Sequence, residues 1–251
     1  MATRGKLFVV GIGPGALEHM TLKALDVLRR AEVIVAYTGY LKILNKLGLT
    51  RGKKVLATGM GEEVKRVQLA TEEVLKGHDV ALVCSGDPGI YGLAELVFRY
   101  LDGMSLSIDV EIVPGITAAI AAASILGAPL NNDFVILSLS DYFTPWNEIL
   151  EELRAVAKTE LVIVLYNPSS SRRHDKFSEA LKLLAEARGD PIICVVKNAY
   201  RDDQQIVVTK LSQLNPQLVD MNSIVIIGSK RTQRLRNGCI VTLRNKALKL
   251  N

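Results

Sequence analysis

Short apolar runs alternate with helix-patterned stretches along this chain. Runs rich in Val, Ile and Leu at 7–10, 33–36, 80–84, 111–113, 134–139, 161–165, 192–196, 205–208 and 224–227 read as strands. Several are β-branched nearly throughout, as in strands covered on both faces. Between them, apolar positions three and four apart predict helices at 22–30, 62–76, 93–101, 117–126, 148–157 and 176–187. Strand then helix, repeated, predicts an α/β fold with a largely parallel sheet. The pattern changes near 115–130: three strand–glycine–helix units precede it, and longer strands with fewer glycines follow. Two α/β domains are therefore expected, 1–116 and 117–251. The stretch 140–146 has the composition of an interdomain linker or a site loop.

Composition narrows the function classes. The chain has 251 residues, 49% of them hydrophobic, enough for two domains of ordinary size. No apolar run of about 18 residues predicts a membrane span, and a first strand at Leu7 leaves no room for a signal peptide. Cys84, Cys194 and Cys239 are isolated and odd in number, as are His19, His78 and His174. Neither set has metal-ligand spacing, so no metal is expected, and a reducing cytoplasm is. The net charge is +5, but residues 229–251 alone carry +7 and no acid, which leaves the remainder at −2. The body is thus not a nucleic-acid surface. The tail reads as a solvated end or as a rim attracting an anionic ligand.

Three glycine loops carry the chemistry. GIGPGA at 11–16 follows the first strand and formally satisfies the dinucleotide pattern. That reading also needs an acid at the end of the second strand, where Tyr37 stands; Glu32 lies before the strand, at the wrong end. Pro14 removes an amide that a pyrophosphate would use, and no Gly-Lys-Ser/Thr follows for a Walker loop. CSGDPGIYG at 84–92 and VPGITAA at 113–119 occupy the same strand-to-helix position. In a parallel sheet such loops share the carboxyl edge, where ligands bind. None of the three holds a Lys or Arg, which argues against a polyphosphate and permits a cationic ligand such as a sulfonium. Asp87 is the carboxylate of this lining; it reads either as a turn or cap residue or as a ligand contact.

G-x-G-P-G, then S-G-D-P-x-x-Y-G, then V-P-G-I-T-A, in this order, resembles the tetrapyrrole methylase family, over nearly the whole chain. TGMGEEVKR at 58–66, LGAPLNNDF at 126–134, LSLSDYFTPW at 137–146, VLYNPSSSRR at 164–173 and KNAYRDDQ at 197–204 resemble its precorrin-3B C-17 methyltransferase subgroup. The chain departs from that pattern at Asn132, where a histidine is common, and at Leu243 and Asn245.

The resemblance implies two domains forming a trough, a homodimer, and S-adenosylmethionine as methyl donor, with S-adenosylhomocysteine as product. It implies methylation at C-17 of a precorrin-3B-type tetrapyrrole, or of cobalt-factor III, with ring contraction to the precorrin-4 level in cobalamin biosynthesis. By motif, Pro14, Ser85, Gly86, Asp87, Ile90, Thr117 and Ala118 would contact the cofactor, with Tyr166 and Ala199 completing the pocket. The anionic substrate would meet Arg172 and Lys42, because carboxylates favour arginine forks and ammonium groups. Tyr40 would flank the macrocycle or pack a domain edge, and Trp146 reads as a core anchor before a stacking residue. Asp141 and Asp133 are the candidate acids for the proton transfers of contraction. Competing readings are a methylase acting at another ring carbon, a nicotinamide-dependent oxidoreductase and a non-enzymatic nucleotide-binding regulator.

Overall fold

A computed structural model of the protein describes residues 5–170 and 174–244. They divide into two compact units between Ala118 and Ala119.

The first unit runs β1 (Leu7–Gly11), α1 (Leu22–Arg30), β2 (Val33–Tyr37), α2 (Thr38–Lys46), β3 (Lys54–Thr58), α3 (Glu63–Leu75), β4 (Val80–Cys84), α4 (Ala94–Gly103) and β5 (Val110–Val113). Its sheet has the order β3-β2-β4-β1-β5, parallel throughout. The period-2 alternation of a strand explains why β1, β2 and β4 are apolar at nearly every position. Phe8, Val10, Ile34, Ala36, Ala81 and Val83 face one core, shared with Ala24, Val27 and Leu28 of α1. Leu7, Val9, Val33, Val35, Val80 and Leu82 face the other, shared with Val67, Ala70 and Val74 of α3. Thr21 caps α1 by accepting from the Ala24 amide at 3.1 Å.

The second unit comprises α5 (Ala118–Leu126), β6 (Gly127–Ala128), β7 (Phe134–Ser138), α6 (Trp146–Ala157), β8 (Val162–Tyr166), α7 (His174–Arg188), β9 (Ile192–Lys197), β10 (Gln205–Lys210), β11 (Ser223–Ile227), β12 (Thr232–Arg234) and β13 (Ile240–Thr242). Its main sheet has the order β10-β9-β11-β8-β7. Here the expectation of a largely parallel sheet fails. β7 and β8 are parallel, but β11 runs antiparallel to both β8 and β9, and β10 antiparallel to β9. β7, β8 and β9 therefore share one direction, and their carboxyl ends share one edge. Ile163, Leu165, Ile193, Val195, Val225 and Ile227 build the core with Leu153 of α6 and Phe177 and Leu184 of α7.

Two further expectations are corrected. The stretch 140–146 lies inside the second unit, between β7 and α6, so it is no interdomain linker. Much of the basic stretch after Ser229 is ordered rather than a loose tail, although Lys230, Arg234, Arg236 and Arg244 are solvent-exposed as expected. β12 and β13 form a hairpin, and β13 pairs with β6 in a third small sheet. The Thr242 hydroxyl donates to the Pro129 carbonyl at 2.6 Å and Arg244 Nε to the Asn131 carbonyl at 2.9 Å. Lys246 and Lys249 lie outside the described residues.

Candidate functional site

In the first unit, β4, β1 and β5 are neighbours, so the three glycine loops leave the same sheet edge side by side. They are joined through their backbones. Gly13 and Gly86 exchange hydrogen bonds of 3.1 and 2.8 Å. A Cβ on Gly115 would stand 2.1 Å from the Gly86 carbonyl oxygen and 2.8 Å from the Gly11 carbonyl carbon, and one on Gly11 2.5 Å from that same oxygen. Only residues without a side chain allow three strands' ends to approach this closely. Pro14 is buried beside this junction, while Ser85, Gly86, Asp87, Thr117 and Ala118 are half-buried and Ile90 is exposed.

Asp87 has a defined role here. Its Oδ1 accepts from the Gly89 amide at 2.8 Å and its Oδ2 from the Gly115 amide at 3.0 Å. The carboxylate thus staples the second loop to the third, the turn-forming role of its two sequence readings. Cys84, which ends β4, has its thiol pushed up to about 11, chiefly by burial and against the opposing pull of the Leu93 amide and Arg66. At neutral pH it stays a thiol, so no thiolate nucleophile stands at this edge. The oxidoreductase reading loses its support. The carboxyl end of β2 carries Tyr37, and Glu32 lies beyond the amino end, its carboxylate accepting from the Asp79 amide at 3.0 Å.

Tyr40 and Lys42 both sit on α2, an element the sequence pattern missed. Tyr40 packs against the first core and stands edge-on to Tyr37, with centroids 5.2 Å apart. That favours its packing role, whereas Lys42 is exposed. Tyr37 also lies under the Arg66 guanidinium, 5.8 Å from its ring centroid. Arg66 is 4% exposed and donates to the Thr58 hydroxyl at 2.6 Å and the Gly59 carbonyl at 2.8 Å, fastening the loop after β3 to α3.

In the second unit, the carboxyl edge of β7, β8 and β9 gathers three of the quoted motifs. Tyr166 ends β8, buried, and its hydroxyl accepts from the Ala119 amide at 2.8 Å, capping the first turn of α5. Asn167 follows with φ 49°, and its side-chain amide donates to Ser138 Oγ at the end of β7, 3.0 Å away. Ala199 stands between Asn198 and Tyr200, with φ 50° and 56°. Asn198 donates to Asp203 Oδ2 at 2.6 Å, and the Tyr200 amide to Gln204 Oε1 at 2.8 Å. Asn167 and Asn198 were not singled out from the sequence. Their signal is an Asn directly after a buried strand, since Asn tolerates the left-handed region better than most residues.

The two candidate acids do not come together. Asp133 is exposed before β7, and its carbonyl accepts from the Val162 amide. Asp141 lies past the opposite end of β7 and is ion-paired with Lys176 of α7. Five strand residues at about 3.3 Å each put roughly 17 Å between these edges. Arg172 lies outside the described residues. A cavity of about 250 Å³ opens at the far edge of the same sheet, lined by Glu160, Arg188, Lys210 and Lys230 among others. Arg188 feeds the carbonyls of Val156, Ala157, Thr159, Leu161 and Gly228. Its donors are spent on backbone, which makes this a structural corner distant from the motif-bearing loops.

Residues 6–215 match the family model described as Tetrapyrrole (Corrin/Porphyrin) Methylases. The "Cobalamin biosynthesis protein CbiHC" of Archaeoglobus fulgidus is 41% identical over 251 residues, all of this chain and 55% of that protein, so the chain spans about half of that relative. The "Probable cobalt-factor III C(17)-methyltransferase" of Salmonella typhimurium is 41% identical over 243 residues, 96% of this chain and 100% of that protein. Among solved structures, that of the methyltransferase CobJ superposes with a TM-score of 0.88 at 31% identity, over 95% of this chain and 100% of that one. The chain thus belongs to the tetrapyrrole (corrin/porphyrin) methylase family.

Proposed function

We propose that this chain methylates C-17 of a precorrin-3B-type tetrapyrrole, or of its cobalt counterpart cobalt-factor III, with ring contraction to the precorrin-4 level in cobalamin biosynthesis. The observation that carries the reading is the glycine junction of the first unit. Three loops without Lys or Arg are held at backbone contact on one sheet edge, a lining suited to a cationic sulfonium and unsuited to a polyphosphate. S-adenosylmethionine supplies an electrophilic methyl group when bound. Pro14, Ser85, Gly86, Asp87, Ile90, Thr117 and Ala118 are its proposed contacts, with Tyr166 and Ala199 from the second unit.

The chain's part in such a displacement is alignment and exclusion of water, with donor and acceptor carbons held about 3–3.5 Å apart. The backbone junction suits that task, because a rigid loop set holds a donor in one pose. Lys42 and Arg172 remain the proposed partners of substrate carboxylates, and Asp141 and Asp133 the proposed acids. Under the same reading the enzyme is a cytoplasmic homodimer. The unpaired Cys84, Cys194 and Cys239 support the reducing compartment, and the dimer rests on the family resemblance.

The test is to incubate the protein with methyl-labelled S-adenosylmethionine and either precorrin-3B or cobalt-factor III. The expected product gains one methyl group at C-17, resolved by mass and NMR. Methyl transfer to neither ring, or to another carbon, would overturn the reading.

A further inference from the structure

Among the described residues, the most exposed large apolar side chains of the second unit are neighbours. Tyr142 is 70% and Phe143 88% exposed. Their rings meet edge to face, at right angles, with centroids 4.6 Å apart. Both stand at the tip of the stretch between β7 and α6, on the carboxyl edge that also carries the turns after β8 and β9. The tip is in solvent, but its base is fixed. On one side Asp141 is ion-paired with Lys176 of α7. On the other, Trp146 Nε1 donates to Glu179 Oε2 of the same helix at 2.8 Å. Lys176 Nζ lies 5.5 Å from the Trp146 ring centroid and so ties the two sides together. The strand end beneath is joined to the next turn, with the Leu139 amide donating to the Tyr166 carbonyl at 2.9 Å.

An ordered stem that holds two aromatic rings in water serves an interaction, since exposed apolar clusters are otherwise avoided. The size of the surface decides what kind. Two aromatic side chains bury about 150–250 Å² each, well short of the roughly 800 Å² per partner that a stable protein interface needs. They do match one macrocycle, on which one ring can lie flat while the other, at right angles to it, meets the macrocycle edge-on.

We propose that residues 140–146 form a braced aromatic platform against which the tetrapyrrole stacks. Tyr142 and Phe143 are its specificity-determining contacts, and Lys176 and Glu179 are positioning residues that hold it. The inference rests on the function proposed above and names a substrate contact for it.

The test uses the full-length protein with precorrin-3B and with cobalt-factor III. Binding is read from quenching of Trp146, the single tryptophan, and turnover is read in parallel. Phe143→Ala should raise Kd and KM for the tetrapyrrole about tenfold, change kcat less than twofold and leave S-adenosylmethionine affinity unchanged. Phe143→Tyr should behave as wild type and Phe143→Leu fall between. Lys176→Met should reproduce part of the KM effect, and Lys176→Arg should restore it. An unchanged tetrapyrrole Kd in both Phe143→Ala and Tyr142→Ala, with wild type active, would overturn the platform alone. So would a fall in molar mass by light scattering in those variants, which would make the rings a subunit contact. Wild type that neither binds nor methylates either ring would overturn the functional reading and the platform with it.

Discussion

Asp87 offers the sharpest separation between a residue that touches the cofactor and one that builds the site. Its two oxygens accept from the Gly89 and Gly115 amides. Hydrogen bonds to a charged group are worth about 1.5–3 kcal/mol each, and an unmatched amide left behind costs about 1–3 kcal/mol. The Gly89 amide is exposed, so water replaces its partner and little is lost. The Gly115 amide is partly buried within the glycine junction, so its loss dominates. Asp87→Ala should therefore destabilise the protein by about 2–4 kcal/mol and weaken S-adenosylmethionine binding at the same time, because the second and third loops are no longer stapled. Asp87→Asn retains one acceptor oxygen but presents an NH₂ group to the other amide, so it should recover about half of both losses. Urea unfolding gives the first quantity and titration calorimetry the second. A variant with a wild-type unfolding midpoint and lost cofactor affinity would refute the staple and leave Asp87 a ligand contact alone. Wild-type values for both would remove it from the site.

Glu73 on α3 is 3% exposed, bonded to Lys54 and Lys76 at 2.8 and 2.7 Å, and these hydrogen bonds, Lys54 first, hold its carboxyl down to about 2 from an ordinary 4.5. A depressed folded-state value stabilises above the unfolded value and is lost as pH falls through the folded one, so the Tm gap between wild type and Glu73→Gln should be full at pH 7 and close between pH 4.5 and 2; a constant gap would show that the pair does not contribute. Arg188→Lys should cost about 2–4 kcal/mol in urea unfolding, because a three-donor ammonium replaces a planar fork feeding several carbonyls; an unchanged midpoint would make that corner water-bridged. Tyr166→Phe strands the Ala119 amide and should cost about 1–3 kcal/mol, with hydrogen exchange rising in the first turn of α5; unchanged exchange there would show that another acceptor serves it.

The buried parallel strands were legible because burial on both faces removes polar residues from the run, as in β1 and β4. α2 was not, because Gly39 lies in its first turn and Tyr37, at its N-cap, makes no side-chain capping bond. β3 is an edge strand with three of five residues exposed, so its apolar signal is weak. Strand direction was invisible in the side chains of β9 and β10. It was legible in the connection, since the seven residues between Lys197 and Gln205 are too few for the crossover that a parallel pair needs. Asn237-Gly238, with Gly238 at φ 88°, is a hairpin signal that the surrounding arginines obscured. At the site, the loops could be placed from strand order alone. The staple through Asp87 and the ion pair of Asp141 could not, because both join segments far apart in sequence.

The position of β11 sets the order in which this protein can be made. Ser223–Ile227 is the centre of the second sheet, between β9 and β8, yet it is among the last strands to leave the ribosome. Until it arrives, β7–β8 and β9–β10 are two separate pairs whose inner strands expose unpaired backbone. The first unit needs nothing beyond Ala118 to complete its sheet and can fold while the rest is still being translated. The second waits for residue 227, so a stall or premature stop shortly before Ser223 releases a finished first unit joined to two sticky strand pairs, an aggregation hazard that chaperones would have to cover.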